Sequence, residues 1–166
     1  MNLGNLIEKF NFNLILIFFI FVLDRLSKLI VINLDKKNFS EEIFSSQFLD
    51  IQLTWNDGIA FGLLSFEREN LYNILTLTIV VVILIIFIIL IRSKGFKKFS
   101  YSMILGGAIG NVFDRLLYRS VPDFIDFHIG NFHWFIFNVA DIFITLGIIC
   151  LILSEIINYK FQSDKK

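Results

Sequence analysis

The sequence predicts an all-α integral membrane protein, with four transmembrane helices and a small exoplasmic β-sheet element. Three observations support this prediction. Of the 166 residues, 56% are hydrophobic and only 18% are charged, whereas a soluble domain has about 25% charged residues. Four apolar runs approach the roughly 20 residues that cross a bilayer. Basic residues concentrate in the segments at one end of these runs, as in cytoplasmic loops.

The four predicted helices lie at residues 13–32, 71–91, 99–117 and 138–157. The second carries no charge, whereas the other three contain ionisable residues that need a partner or a function inside a membrane. The first run is interrupted by charge and lacks a small-residue cleavage site, so we expect a retained helix rather than a cleaved signal peptide. We expect residues 1–166 to form a single membrane-embedded domain.

The distribution of charge predicts the orientation of these helices. Acidic residues outnumber basic ones in segments 35–70 and 119–137, which we therefore assign to the exoplasmic side. Both termini and the middle loop are predicted to be cytoplasmic. The basic residues behind this assignment are Lys9, Arg92, Lys94, Lys97, Lys98, Lys160, Lys165 and Lys166.

The exoplasmic segments contain patterns typical of strands. Polar and apolar residues alternate over 50–56, and Asp57-Gly58 follows as a turn. Residues 124–129 and 132–136 are apolar-rich and flank Gly130-Asn131, which predicts a second hairpin. We expect a small sheet on the outer membrane surface.

Several classes of function are disfavoured. The 15 basic and 15 acidic residues cancel, so no positive field indicates a nucleic-acid partner. Cys150 stands alone and cannot form an internal disulfide. His128 and His133 are five residues apart, a spacing that suits neither one helix face nor one strand face. The sequence therefore predicts no metal and no cofactor.

Two of the predicted helices place polar groups on one face. Asp24 and Lys28 are spaced i, i+4 and can pair, either as an internal ion pair or as part of a site. In the third helix, three glycines permit close helix approach, and three polar residues follow on one face, as a structural cluster or as part of a site. These residues are Gly106, Gly107, Gly110, Asn111, Asp114 and Arg115.

Asp123 and Asp141 are the strongest candidates for chemistry. Asp123 follows the third helix, and Asp141 lies one turn into the fourth on the same face as Asn138, so both are expected near the exoplasmic interface. Two converging carboxylates share one proton, which is what an aspartic protease requires. A helix cap remains an alternative role for Asp141.

Five ordered blocks closely resemble the bacterial lipoprotein signal peptidases, or type II signal peptidases. They extend from the first helix to the fourth and cover nearly the whole chain. One departure is Ile59 before Ala60, where the family often has two small residues. The blocks are Asp24-Arg25-Leu26-Ser27-Lys28, Asn56-Asp57-Gly58-Ile59-Ala60-Phe61-Gly62, Gly106-Gly107-Ala108-Ile109-Gly110-Asn111-Val112-Phe113-Asp114-Arg115, Val121-Pro122-Asp123-Phe124 and Phe137-Asn138-Val139-Ala140-Asp141.

The resemblance implies a multi-pass aspartic endopeptidase of the bacterial inner membrane, with its active site near the exoplasmic face. Such an enzyme removes the signal peptide from diacylglyceryl-modified prolipoproteins, cleaving just before the lipidated Cys. By similarity, Asp123 and Asp141 are the catalytic pair that activates water. The resemblance assigns substrate-binding or site-shaping positions to Asp24, Lys28, Asn56, Asn111, Arg115, Asn138 and Ala140.

The expected partners are prolipoprotein substrates and membrane lipid, and we expect a monomer. The alternative is a non-enzymatic four-helix carrier or assembly factor. A carrier would distribute ionisable groups along a path across the bilayer, whereas the two principal acids here gather on one side.

Overall fold

The computed structural model describes residues 3–37, 42–58 and 69–163. Four helices and one four-stranded sheet make up this part of the chain. Ile59 and Ala60, where the family resemblance departs, lie outside the described residues, as do Lys165 and Lys166. The elements in chain order are α1 (Leu3–Lys37), β1 (Phe44–Ser45), β2 (Leu49–Asn56), α2 (Glu69–Arg92), α3 (Gly95–Tyr118), β3 (Val121–Ile129), β4 (Phe132–Phe137) and α4 (Val139–Ser163).

Each predicted helix is present, but all four are longer than predicted, α1 by the most. α1 has 35 residues and extends about 52 Å at 1.5 Å per residue, well beyond the roughly 30 Å of a bilayer core. The apolar run defines only the part of a helix that suits hydrocarbon, and polar residues at either end continue the same helix. The fourth helix begins at Val139 and not at Asn138.

The strands predicted at 50–56 and on either side of Gly130-Asn131 are confirmed, as is the hairpin at Gly130-Asn131, and all of them belong to one small sheet. The strand order is β1-β2-β3-β4, with every neighbouring pair antiparallel. Gly130 has a φ of 59° at the β3–β4 turn, a left-handed conformation that glycine adopts readily. Pairing of β2 with β3 brings Thr54 opposite Asp123.

α3 is the central helix, because it packs against α1, α2 and α4. The predicted close approach at its glycines is confirmed. A Cβ on Gly107 would collide with the carbonyl oxygen of Ala140 in α4, and a Cβ on Gly110 would lie 2.5 Å from Oδ2 of Asp24 in α1. The absence of these side chains lets both neighbouring helices reach α3 at the level of the polar residues.

The described helices are polar inside and apolar outside. Asp24, Lys28 and Asp114 are fully buried, whereas Phe18 and Leu116 are 67% and 71% exposed. Residues Tyr72–Arg92 and Val139–Asn158 are long and apolar enough to cross a membrane. α1 and α3 carry the buried charges, which lowers their overall apolarity. The fold is thus mostly helical, with two apolar candidate spans and a small antiparallel sheet.

The Gly110→Ala substitution should destabilise the protein by about 1–3 kcal/mol, as overpacking does, because the new methyl group displaces Asp24. The Asp24→Ser change removes the colliding oxygen, so the same substitution should be less costly in that background. Unfolding of the four proteins of this double-mutant cycle, followed in detergent, measures the coupling. If the stability losses of the two single variants simply added in the double variant, the predicted collision would be contradicted.

Candidate active site

Asp123 lies in the buried first part of β3, where its carboxylate accepts two amide hydrogen bonds. The side chain of Asn56, at the end of β2, donates to Oδ2 at 2.9 Å. The side chain of Asn138, just before α4, donates to Oδ1 at 2.6 Å. Asp123 is only 3% exposed, and its position depends on the pairing of β2 with β3.

Asp141 lies in the first turn of α4 and forms a reciprocal cap with Asn138. Its Oδ2 accepts from the backbone N–H of Asn138 at 3.1 Å, and its own N–H donates to Oδ1 of Asn138 at 3.1 Å. This is the geometry of a capping box, so the helix-cap role of Asp141 is confirmed. Its other oxygen, Oδ1, accepts from the side chain of Asn111 at 2.9 Å, which a cap alone does not require.

Asn138 joins the two acids, because one side of its amide contacts Asp123 and the other contacts Asp141. Asp123 and Asp141 therefore contact the same residue. Each carboxylate oxygen has more than one acceptor position, so the described amide bonds leave capacity for a water molecule or a substrate group.

A buried ionic cluster lies behind Asp141. The ammonium group of Lys28 donates to Asp24 at 2.9 Å, to Asn111 at 2.8 Å and to Asp114 at 2.7 Å. These three bonds use all the protons of an ammonium group. Arg25 forms an ion pair with the second oxygen of Asp114. The predicted Asp24–Lys28 pair is confirmed as part of a larger cluster with two acids and two bases.

This cluster reaches the start of α4 by two routes. Oδ1 of Asp24 accepts from the backbone N–H of Ala140 at 3.0 Å, and Asn111 connects Lys28 to Asp141. Ala140 thus contributes its backbone, and its fully buried side chain leaves little room for a larger residue. Asp24, Lys28 and Asn111 hold the first turn of α4 rather than contacting Asp123.

Arg115 supports the other side of the site. Its guanidinium group donates to the backbone carbonyl of Gly58, while the N–H of Gly58 donates to Oδ1 of Asn56 at 3.0 Å. The Asp57-Gly58 turn is therefore tied to the amide that contacts Asp123. The hydroxyl of Tyr72 in α2 donates to the carbonyl of Arg115 at 3.3 Å, so α2 also contributes.

The structure brings together all nine residues predicted for the site, and it adds two. The two additions are Arg25 and Asp114, which are both buried in the Lys28 cluster; the resemblance assigns neither of them to the site. Both residues are charged and lie within apolar runs of the sequence, and this is the signal that could have identified them. The spacing argument against His128 and His133 is wrong, because the β3–β4 hairpin pairs these residues directly.

The environment of Asp123 favours its protonated form. Burial and, to a smaller extent, the negative charge of Asp141 raise the pKa of Asp123 to about 6, even though the hydrogen bonds from Asn56 and Asn138 act in the opposite direction. A carboxyl group with this pKa can exchange a proton near neutral pH.

Two hollows open beside the acids. A cleft of about 370 Å³ is lined by polar residues, among them Asn56 and Asp123, and by apolar ones, among them Trp55, while an apolar groove of about 200 Å³ runs past Asp141 and Leu146. Phe135 lines both hollows.

Residues 16–157 match the family model described as signal peptidase (SPase) II. This chain belongs to the signal peptidase II family. It is therefore a peptidase, which confirms the resemblance of the five sequence blocks and excludes the non-enzymatic carrier.

Individual relatives agree with this assignment. The lipoprotein signal peptidase of Pelagibacter ubique (strain HTCC1062) is 42% identical over the full chain and 97% of its own length. That of Anaplasma marginale (strain Florida) is 38% identical, over 86% of this chain and 82% of its own. A solved bacterial membrane enzyme superposes with a TM-score of 0.72 at 28% identity, over 94% of this chain and 92% of that one.

The Lys28→Met substitution should destabilise this peptidase by about 3–5 kcal/mol, because it leaves Asp24 and Asp114 with less compensation in a buried site. Lys97→Met is the matched control, because Lys97 forms an ion pair with the well-exposed Glu155, and exposed pairs contribute about 0–1 kcal/mol. Denaturant unfolding in detergent measures both changes. If Lys28→Met and Lys97→Met lowered the free energy of unfolding equally, the Lys28 cluster would have no special structural role.

Proposed function

We propose that the protein removes signal peptides from diacylglyceryl-modified prolipoproteins, with Asp123 and Asp141 as the catalytic pair. The observation that carries this proposal is the Asn138 bridge, in which the side-chain amide of Asn138 donates to the carboxylate of Asp123 and its backbone N–H donates to the carboxylate of Asp141. The names of the relatives support the lipoprotein substrate.

The proposed reaction uses one proton shared between the two acids. The ionised carboxylate takes a proton from water as the water oxygen bonds to the scissile carbonyl carbon. The protonated carboxyl donates to the carbonyl oxygen as charge develops there. Collapse of the tetrahedral intermediate breaks the C–N bond, and the departing nitrogen receives a proton from the pair. Asn56, Asn111 and Asn138 fix the orientation of the carboxylates.

The two hollows fit the two chemical parts of such a substrate. The cleft at Asp123 suits an extended peptide, because its polar lining residues can form hydrogen bonds with the peptide backbone. The apolar groove along α4 at Asp141 suits an acyl chain or the apolar signal helix. Phe135 lines both hollows, together with Asp123 in the first and with Asp141 in the second.

We further propose that all four helices span the bilayer, as parts of a single domain covering residues 1–166. The buried charges of α1 and α3 are enclosed by other helices, while the outward surfaces of these two helices carry exposed residues such as Phe18 and Leu116. An apolar exterior suits lipid, and enclosed ionic pairs are how a membrane helix tolerates charge.

The proposed topology has cytoplasmic termini and an exoplasmic active site in the bacterial inner membrane. The excess of basic residues between α2 and α3 supports the cytoplasmic assignment of that loop. Asp123 lies in the sheet on the opposite side of the helices from that loop. We expect the enzyme to act as a monomer in contact with lipid.

Asp123→Asn and Asp141→Asn should each reduce cleavage of a diacylglyceryl-modified prolipoprotein by about 10²–10⁴-fold, because an amide cannot perform the acid–base step. The free energy of unfolding should change little, since the side-chain oxygen in Asp141→Asn can still accept from the backbone N–H of Asn138. Asp35→Asn, in the last turn of α1, is the matched control and should retain activity. Normal cleavage by either active-site variant would exclude this catalytic pair.

The cleavage rate should have a bell-shaped dependence on pH, with its falling limb near pH 6, where the shared proton leaves the pair. The hydrogen bond from Asn56 favours the ionised form of Asp123, so Asn56→Ala should raise the pKa and move this limb to higher pH. Asn73→Ala, on an exposed part of α2, should leave the profile unchanged. A rate independent of pH from acid to neutral would contradict the shared-proton mechanism.

A further inference from the structure

Four ionisable side chains from three strands gather on the sheet, away from Asp123. Cross-strand pairing sets Asp50 of β2 opposite Asp126 of β3, and His128 of β3 opposite His133 of β4. The two imidazole rings are stacked with their centroids 5.0 Å apart. The peptidase mechanism uses none of these residues.

The contacts within this group resemble the surroundings of a metal ligand. Nδ1 of His133 lies 2.7 Å from Oδ2 of Asp126, so a ring nitrogen and a carboxylate oxygen already face each other. Imidazole nitrogens and carboxylate oxygens are both usual ligands of zinc. His133 is about half exposed at its side chain, which gives an ion a path of entry from solvent.

Two buried polar atoms in the group have no hydrogen-bond partner among the described residues: Oδ1 of Asp126 and Nδ1 of His128. The latter lies 3.4 Å from Oδ2 of Asp50, without the geometry of a hydrogen bond. Buried polar groups are normally satisfied, so these two atoms are available as ligands for a cation.

The charge of the group also favours a cation. The hydroxyl of Ser45 donates to Oδ1 of Asp50 at 2.7 Å, and such a hydrogen bond stabilises the carboxylate. Asp50 stands directly opposite the second carboxylate, of Asp126, and like charges in that position are destabilising. A divalent cation would neutralise both charges.

We propose that Asp126, His128 and His133 bind a divalent transition metal, with zinc as the best match, and that Asp50 supports the site. One ligand atom from each of the three residues lies within 4.8 Å of the others. Tetrahedral zinc places ligand atoms roughly 3.4 Å apart, so the side chains close in by about 1–1.5 Å on binding. Two imidazoles and a carboxylate favour zinc over magnesium or calcium, which prefer oxygen ligands.

Zinc binding to the full chain, purified with a tag that contains no histidine and stripped with chelator, tests this proposal by equilibrium dialysis and metal analysis. We expect one zinc per chain in the wild type and no specific zinc in the His128→Gln/His133→Gln double variant. Each single variant should lose at least about tenfold in affinity, by comparison with the roughly 10–100-fold effects of outer-shell residues. Glu42→Gln removes a carboxylate elsewhere and should bind zinc normally.

Two further readouts separate a metal site from a surface cluster of charges. Zinc should raise the unfolding temperature of the wild type but not of the double variant. Binding should weaken as the solution is made more acidic, because protons compete with the metal for its ligands. Equal zinc binding by the wild type and the double variant, or displacement of zinc by equimolar magnesium, would overturn the proposal. Asp123→Asn should bind zinc normally, so this test is independent of the proposed peptidase mechanism.

Discussion

The buried ammonium group of Lys28 is the interaction on which the rest of the site depends. It joins α1 to α3 through Asp114 and Asn111, and it reaches α4 through Asp24 and Asn111. A buried charge without compensation is strongly destabilising, and an apolar surrounding supplies no water in its place. The three helices are therefore held in one arrangement, and that arrangement fixes the first turn of α4.

The positive charge is kept one step away from the two acids. The described hydrogen bonds at Asp123 and Asp141 come from amide N–H groups, of Asn56, Asn111 and Asn138. A direct contact from Lys28 would favour the ionised carboxylate and release the proton that the proposed reaction needs. Neutral donors position the carboxylates and still allow the raised pKa of Asp123.

The helices and the sheet make different contributions. Glycines in α3 let α1 and α4 approach closely enough for the ionic cluster to form. The sheet supplies Asn56 and Asp123 from strands that are far apart in the sequence but adjacent in space, and Arg115 ties the end of β2 to α3 through Gly58. Asn138 completes the site where the sheet meets α4.

The sequence by itself predicted the four helices with their approximate positions, three of the four strands and, together with the family resemblance, the residues of the candidate site. These features depend on local patterns: long apolar runs, alternation of polar and apolar residues, and charges placed where a membrane helix should have none. The resemblance to a family supported the residue choice.

Only the tertiary structure decided which of these residues touch. Arg25 joined the Lys28 cluster, Asp141 proved to cap its helix while also contacting Asn111, and His128 met His133 across a hairpin. Contacts between elements depend on strand register and helix packing, and the spacing of residues along one chain does not contain that information.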